Sequence, residues 1–291
     1  MNLRRLLLAL PLVPVLGRAQ TPDVFVRVDT YLTYRSIKNG DTTLRSYDWL
    51  GRHSVVGLEL ALEPGFRGWV SQRLQRIPND ADPEQLDEYY IEDPGLWKLG
   101  KQYLPFGQQR MIRENGRAAR ADTNLLLEKL PISAAVVDNG SGRSRGVIGR
   151  LGGSLGLSFA AGKNFAAQGT SLNLVRSPED APGVGRGYGV LLGLDGRRRL
   201  GKFEISMEAV ALRNGETGLD VDMEVSDLAL VLRPWREGTV TVGWSRDWNQ
   251  RLDFYRAQAR MMLMPDVHLE PFIRFRQGVM YDLGLTLRVK M

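Results

Sequence analysis

The chain has 291 residues, no cysteine, 39 basic and 33 acidic residues, and a formal net charge of +6. The lack of cysteine excludes a disulfide-stapled secreted domain, and the slightly polar mean hydropathy of −0.24 argues against a helical membrane protein. No basic run is interleaved with aromatic residues, so we expect no nucleic-acid partner.

Residues 1–19 have the pattern of a cleavable secretory leader. Two arginines at positions 4 and 5 precede an apolar run over 6–16, and positions 17–19 read Gly-Arg-Ala. The alternative is a membrane anchor, but the run is about half of the roughly 20 residues that a spanning helix needs. We therefore expect a signal peptide over 1–19 and export of 20–291 as one domain. Removing three of the 39 arginines and lysines leaves 36 basic against 33 acidic residues, a net charge of +3.

Apolar and polar residues alternate with a period of two through most of the remaining chain, which is typical of strands with one apolar and one polar face. The clearest case is 279–291, in which every odd position is apolar and every even position except Met280 is polar or glycine. The pattern predicts fourteen strands, over 24–36, 56–62, 66–75, 86–92, 96–103, 145–152, 154–162, 187–194, 201–212, 219–232, 239–248, 251–264, 267–276 and 279–291. In the strand over 219–232 the apolar parity changes near Ser226 and Asp227, so we expect a bulge there.

These strands predict an all-β fold, a transmembrane antiparallel β-barrel. An even number of strands and a sorting of the connections into short and long sets are both typical of outer-membrane barrels. About 14 strands fit the pattern best, and 12 to 16 are compatible with it. The competing interpretation is a soluble β-sandwich, whose apolar faces seldom run for so many positions without a polar break.

The segment Gly100–Gly107, which reads GKQYLPFG, together with the acidic and aromatic strand over 86–91, carries a family resemblance. It resembles the bacterial outer-membrane porins of the phosphate-selective group and its relatives. The resemblance implies a passive channel with a loop folded into the barrel, outer-membrane lipid and small hydrophilic or anionic solutes as partners, and a homotrimer as a candidate assembly. Those porins usually end in Phe or another aromatic residue, whereas this chain ends in Met291.

The longest gap between predicted strands, 104–144, is too long for an idle loop in a compact barrel. It combines an apolar half with four arginines that we predict to line a pore constriction and bind anions: Arg110, Arg113, Arg117 and Arg120. Small residues on the polar faces of 154–162 and 187–194 would let a loop backbone approach the wall closely. We therefore expect 104–144 to fold inward. The alternative is that it contains one or two further strands, such as 132–138.

The polar faces of the predicted strands place opposite charges on different sides of the lumen. The predicted basic wall consists of Arg27, Arg67, Arg73, Arg256, Arg260, Arg274, Arg276 and Arg288. The predicted acidic wall consists of Glu204, Glu208, Asp220, Asp222 and Glu224. Screening over about 8 Å at physiological salt limits the effect of these charges to the narrow part of the pore.

The sequence offers no pattern for a metal or cofactor site, because it lacks cysteine and has no histidine pair at ligand spacing. We therefore expect a porin in the outer membrane that passes small hydrophilic solutes with a mild preference for anions, and no enzyme. Two alternatives stay open. One is an outer-membrane lipid hydrolase that uses His268 as a base, and the other is a closed structural or adhesive barrel.

Overall fold

The computed structural model describes residues 23–48, 54–61, 65–74, 85–125, 130–140, 144–165, 187–214 and 222–291. The predicted signal peptide over 1–19 lies outside these residues. The strands are β1 (Asp23–Asn39), β2 (Thr42–Asp48), β3 (Val55–Ala61), β4 (Arg67–Arg73), β5 (Leu86–Asp93), β6 (Trp97–Tyr103), β7 (Asn115–Leu125), β8 (Leu130–Asp138), β9 (Arg145–Gly152), β10 (Leu155–Lys163), β11 (Tyr188–Leu200), β12 (Phe203–Asn214), β13 (Met223–Leu232), β14 (Thr239–Asp247), β15 (Leu252–Met264), β16 (Val267–Arg276) and β17 (Val279–Lys290). Within the described residues there is no helix long and apolar enough to cross a membrane.

Sixteen of the strands form one closed antiparallel barrel. Each strand from β3 to β17 pairs with the next, and β1 closes the ring by pairing with β17 over 29–37 and with β3 over 23–29. The remaining strand, β2, pairs with the second half of β1 and extends that strand as a hairpin beyond β3. The start of β1 and the end of β17 therefore lie at the same end of the barrel, which we call the termini end. The opposite end is the loop end.

The barrel is apolar outside and polar inside, as the period-two pattern predicts. Large apolar side chains such as Leu99, Leu157 and Leu192 are 58%, 58% and 55% exposed on the exterior. Polar side chains such as Glu208 and Asp227 are instead buried on the interior face. In a soluble β-sandwich the apolar faces would be the buried ones, so the structure favours the barrel.

The sequence pattern predicted fourteen strands, and the structure has a counterpart of each in β1, β3–β6 and β9–β17. The barrel has two more, β7 and β8, because much of the predicted loop over 104–144 is strand. The loop that folds inward covers only 104–114. On β7 the exterior positions are Arg117, Ala119, Ala121 and Thr123, which do not give a strong apolar face.

The predicted bulge in β13 is wrong. β13 pairs with β12 and β14 without a register shift, and Glu208 lies opposite Asp227 on the interior. Glu224 consequently shares the exterior face with Ala211, and Asp222 contacts the exterior Arg213. Neither acid belongs to a lumen wall. Asp220 lies outside the described residues.

The physical reason for this error is that the interior face of β13 is partly apolar. Met223 and Val225 point inward and are each 2% exposed, because they belong to a hydrophobic cluster inside the barrel. The alternation rule assumes a wet interior, and it therefore assigned these two residues to the wrong face.

Candidate functional site

The segment 104–114 between β6 and β7, which we call the inward loop, folds into the barrel. Its apolar side chains Leu104, Phe106, Met111 and Ile112 are at most 2% exposed. They pack in one cluster with interior residues of β7–β13: Ala118, Ala135, Val137, Ile148, Ala160, Leu191, Val210, Leu212, Met223 and Val225. Complete burial of a side chain of this size contributes about 1.5–3 kcal/mol relative to exposure. The loop is thus attached to one side of the barrel wall.

Small residues on the barrel wall let the loop backbone approach it closely, as the sequence pattern predicts. A Cβ atom on Gly193 would lie 2.8 Å from the ring of Phe106. The adjacent Ser158 on β10 accepts a hydrogen bond of 2.8 Å from the backbone N–H of Gly107. Gly107 has a φ of +52°, in the left-handed region that favours glycine, and a Cβ there would collide with the carboxylate of Glu208.

The carboxylate of Glu208 holds the turn of the loop. It accepts hydrogen bonds from the backbone N–H groups of Arg110 and Met111, at 3.2 and 3.3 Å. Its side chain is buried, and the residue is only 1% exposed. The nearby Asp195 accepts a further hydrogen bond, 3.4 Å long, from the Gln108 side chain. Two acids of the wall therefore bind loop donors rather than face the open lumen.

Arg110 joins the loop to a cluster of charges on β13–β15, which we call the Asp227 cluster. The Asp227 carboxylate accepts hydrogen bonds from Arg110 at 2.5 Å and from Arg256 at 2.5 and 3.0 Å. Ser245 donates to the same carboxylate at 2.6 Å, and Arg110 also donates to the hydroxyl of Ser206. One carboxylate is thus shared by two guanidinium groups.

A second cluster has the same composition on β1, β16 and β17, and we call it the Asp282 cluster. Arg35 donates to both carboxylate oxygens of Asp282, at 2.8 and 2.7 Å. Arg274 donates to one of those oxygens at 3.3 Å. Arg274 also lies opposite Arg256 in the β15–β16 pairing, so the two clusters are neighbours on the interior wall.

The exposed charge in both clusters is positive. The side chains of Asp227 and Asp282 are 0% exposed, whereas those of Arg110, Arg256, Arg35 and Arg274 are 23%, 16%, 27% and 33% exposed. In each cluster two guanidinium charges against one carboxylate leave a formal charge of +1. A solute beside this wall would therefore meet guanidinium groups before it met carboxylates.

A recess with about 500 Å³ of empty space, part of it open to solvent, lies at the same wall. It is lined by residues of β14–β17: Ser245, Phe254, Tyr255, Arg256, Ala257, Gln258, Phe272, Arg274 and Tyr281. The inward loop packs against β7–β13, so the recess lies next to it, on the neighbouring strands β14–β17. It joins arginine, amide and aromatic side chains in one surface.

Of the four arginines predicted at the constriction, only Arg110 reaches from the inward loop to the interior wall, where it binds Asp227. Arg113 is exposed and stacks on the ring of Tyr103, with its guanidinium carbon 4.5 Å from the ring centroid. Arg117 lies on the exterior face of β7 and donates to the hydroxyl of Tyr89. Arg120 faces the interior of β7 and pairs with Asp122. The expectation that all four act together is wrong, because 115–125 is a strand with two faces.

The strand register places all eight residues of the predicted basic wall on the interior face. The expected segregation of charge is wrong, however, because carboxylates lie among them. Arg288 binds Asp29, Arg260 binds Glu270 at 2.6 Å, and Arg27 pairs with Glu59. Arg73 pairs with Asp87 at 2.8 Å. Arg67 and Arg276 are exposed at opposite ends of their wall.

The predicted acidic residues Glu204 and Glu208 do face the interior. Glu204 binds Arg197 at 2.7 Å and Arg233 at 2.8 Å, and Glu208 binds the loop. The sequence interpretation missed Asp227 and Asp282 as site residues. For Asp282 the alternation of 279–291 was a usable signal, since it assigns this residue to the polar face.

The part of the chain that the structure describes contains no group of three or more histidine and acidic residues that could hold a metal ion. His268 on β16 lies opposite Arg288. Its buried Nδ1 has no hydrogen-bond partner, whereas a catalytic histidine of a hydrolase triad is oriented by a carboxylate at that nitrogen. The nearby Glu270 is engaged by Arg260.

No family model and no curated protein matches the chain. Several solved structures do share its fold. The outer membrane channel DcaP of Acinetobacter baumannii has a TM-score of 0.62 at 10% identity, covering 94% of this chain and 99% of that one. OmpF of Salmonella typhi, in complex with daunomycin, has a TM-score of 0.62 at 9% identity, covering 93% and 98%. The anion-selective porin from Comamonas acidovorans has a TM-score of 0.57 at 13% identity, covering 93% and 100%. The barrel therefore has the fold of these bacterial outer-membrane channels.

Proposed function

We propose that this chain is an outer-membrane porin, exported with a signal peptide over 1–19, that lets small hydrophilic solutes diffuse passively with a mild preference for anions. No bond is made or broken. The apolar exterior suits a bilayer, and the polar interior suits a water-filled path. The similar solved structures include proteins described as a channel and as an anion-selective porin, which supports the same function here.

The observation that carries the proposal is the arrangement of charge beside the inward loop. The loop narrows the lumen from one side, and the Asp227 and Asp282 clusters present partly exposed guanidinium groups while their carboxylates are buried. Anions passing the loop would gain favourable interactions with these groups. The preference should be mild, because each cluster carries a formal charge of only +1 and mobile ions screen it.

The set of residues that we propose to set the anion preference differs from the four arginines predicted from the sequence. We assign the anion preference mainly to Arg110, Arg256 and Arg274. Arg113 lies near the loop end and would act on entering ions at longer range, where screening is stronger. Arg120 is neutralised by Asp122, and Arg117 lies outside the barrel.

A homotrimer is the assembly that we propose. A solved structure of similar fold, OmpT of Vibrio cholerae, is described as a trimer form, with a TM-score of 0.60 at 8% identity. Cross-linking of the purified chain in detergent, followed by mass measurement, would test it.

Two other functions make different predictions. A lipid hydrolase would need His268 to be oriented by an acid, and its Nδ1 is without a partner in the described structure. A closed structural barrel would need its lumen filled on every side, whereas the inward loop packs against β7–β13 and a recess remains at β14–β17.

Liposome swelling tests the proposed function. The refolded mature chain, reconstituted in phosphatidylcholine liposomes, should admit small neutral sugars quickly and large oligosaccharides slowly. Release of fatty acid from the same liposomes is measured in parallel. Fatty-acid release that requires His268, without sugar entry, would support the enzyme. Absence of both sugar entry and fatty-acid release would support the closed barrel.

A further inference from the structure

The exterior face of the barrel carries cations at the loop end of β7–β10. Arg145 and Lys163 lie directly opposite each other in the β9–β10 pairing. Asp138 lies on the other side of Arg145 in the β8–β9 pairing. Arg117 is one position beyond the last β7–β8 pair and so lies next to Asp138. We call Arg117, Arg145 and Lys163 the cation row, and all three are exposed.

The row lies at the edge of the apolar exterior. Two residues further along the strands, toward the middle of the barrel, the exterior positions are Val136, Val147, Ala161 and Val190, each opposite the next. The three valines are 62%, 43% and 46% exposed. Two residues of a strand span about 6.6 Å, so the cations lie just beyond the apolar band, at the level where lipid headgroups meet a barrel.

Two tyrosines at the same level support this placement. The ring of Tyr188, the partner of Lys163 in the β10–β11 pairing, lies 5.5 Å from the Lys163 ammonium nitrogen. The hydroxyl of Tyr89 accepts a hydrogen bond of 2.8 Å from Arg117. Tyrosine is enriched at the headgroup level because one end of its ring is apolar and the other is polar.

The described residues compensate the charges of Arg145 and Lys163 only in part. Like charges directly opposite each other in an antiparallel pair are destabilising. Asp138 pairs with Arg145 at 3.1 Å, and both side chains are more than half exposed. Within the described part of the chain, Lys163 contacts the Tyr188 ring and no carboxylate. Counting only residues that the structure describes, two adjacent cations therefore share one carboxylate.

Other exterior arginines near the loop end are compensated more fully. Arg213 on β12 pairs with both Asp222 and Glu224. Arg246 on β14 pairs with Asp253 at 3.0 Å. The arrangement of cations on β9 and β10 is therefore not a general property of the exterior at the loop end.

We propose that Arg145 and Lys163, flanked by Arg117, bind a phosphate group of a lipid in the leaflet around the loop end. A phosphate offers several charged acceptor oxygens, which suit a guanidinium and an ammonium side by side. The acyl chains of the same lipid would lie along Val147, Ala161 and Val190. A soluble anion would satisfy only the cations, so the continuity with the apolar band favours a lipid. The inference does not depend on whether the barrel conducts.

Native mass spectrometry of the purified mature chain in detergent tests this proposal, with phosphatidic acid and phosphatidylcholine as probes. The unaltered chain should retain phosphatidic acid in preference to phosphatidylcholine. The double variant Arg145→Ser/Lys163→Ser should bind phosphatidic acid about tenfold more weakly, because it loses two charge-assisted contacts. Phosphatidylcholine binding, which is weaker at the outset, should change less.

The matched control is Arg213→Ser/Arg246→Ser, which removes two exterior arginines that have their own carboxylates. It should bind phosphatidic acid like the unaltered chain. Equal phosphatidic acid binding by Arg145→Ser/Lys163→Ser and the unaltered chain would overturn the proposal. An equal loss of phosphatidic acid binding in the control variant would also overturn it. Complete displacement of the lipid by millimolar inorganic phosphate would also overturn it, because the site would then be one for a free anion.

Folding of each variant is checked by the difference in gel mobility between unheated and boiled samples. Should the double variant fail to fold, Lys163→Gln alone provides the test, since this side chain is exposed and has no ionic partner in the described structure. This single variant should bind phosphatidic acid several-fold more weakly than the unaltered chain does. Unchanged binding would contradict the proposal.

Discussion

Asp227 on β13 binds Arg110 of the inward loop, although the two residues are 117 positions apart in the chain. The same carboxylate binds Arg256 on β15. One buried acid therefore fixes both the position of the loop and the orientation of an arginine on the lumen wall. We therefore expect pore width and lumen charge to depend on the same contacts, so that variants of these residues affect conductance and ion preference together.

Replacing Glu208 by alanine should loosen the inward loop. The backbone N–H groups of Arg110 and Met111 would lose their acceptor, and leaving a buried donor without a partner costs about 1–3 kcal/mol. Single-channel records should show noisier and larger open steps. Glu208→Gln is the matched control, because its amide oxygen can still accept a hydrogen bond, and it should have a smaller effect. Identical records for Glu208→Ala and the unaltered chain would show that this acid does not hold the loop.

Replacing Gly193 by alanine should displace Phe106, since the new methyl group would lie 2.8 Å from its ring. Overpacking of this kind costs about 1–3 kcal/mol. We expect the folded barrel, which runs faster on gels than the boiled chain, to unfold at a lower temperature. We also expect a larger single-channel conductance.

The control for Gly193→Ala is Gly68→Ala, on the exterior of β4. There the added Cβ would have its nearest neighbour at 3.5 Å, an ordinary contact with Leu60. Equal effects of the two substitutions would mean that the contact between Phe106 and Gly193 does not position the loop.

The triple variant Arg110→Ser/Arg256→Ser/Arg274→Ser should shift the pore toward cations, because it removes three of the four partly exposed positive charges and leaves Asp227, Asp282 and Arg35. The zero-current potential in a salt gradient measures this shift. Arg120→Ser is the control, since Arg120 is paired with Asp122 away from the inward loop, and it should shift the potential little. No change in the triple variant would show that ions do not pass these clusters.

Asp282→Asn should have the opposite effect on ion preference. Loss of this carboxylate leaves Arg35 and Arg274 without their shared partner, so the zero-current potential should move toward stronger anion preference. Stability should fall by about 1–3 kcal/mol, less than for fully buried charges, because both guanidinium groups can hydrate. Asp266→Asn, in the exposed turn between β15 and β16, removes the same charge elsewhere and should leave the potential unchanged. A shift toward cations in Asp282→Asn would contradict the assigned charge.

Alternation predicted most of the barrel because most positions of the fourteen strands are apolar on the exterior and polar or small on the interior. It failed where those conditions do not hold. In β8 the adjacent residues Ala135, Val136 and Val137 are all apolar, because the interior side there contacts the hydrophobic cluster rather than water. The same cause misassigned β13, where Met223 and Val225 face inward.

The candidate site was less predictable from the sequence than the fold. The small residues Ser158 and Gly193 were recognisable as a place for a loop, because their size is a local property. The partners of Arg110 were not recognisable from the sequence. Its contact with Asp227 depends on the closure of the whole barrel and on the path of the loop across it. Pairings such as Arg35 with Asp282, on the first and last strands, likewise exist only after β1 meets β17.

The most direct test of the central claim is the single-channel conductance, in planar bilayers, of the mature chain and of a variant in which residues 105–113 are replaced by a short Gly-Asn turn. The unaltered chain should show steady open steps, and the variant should fold and show steps several-fold larger, because the inward loop no longer narrows the lumen. Absence of conductance in the folded, unaltered chain would contradict the proposed porin function. Equal conductance of the two chains would show that the loop does not form the constriction.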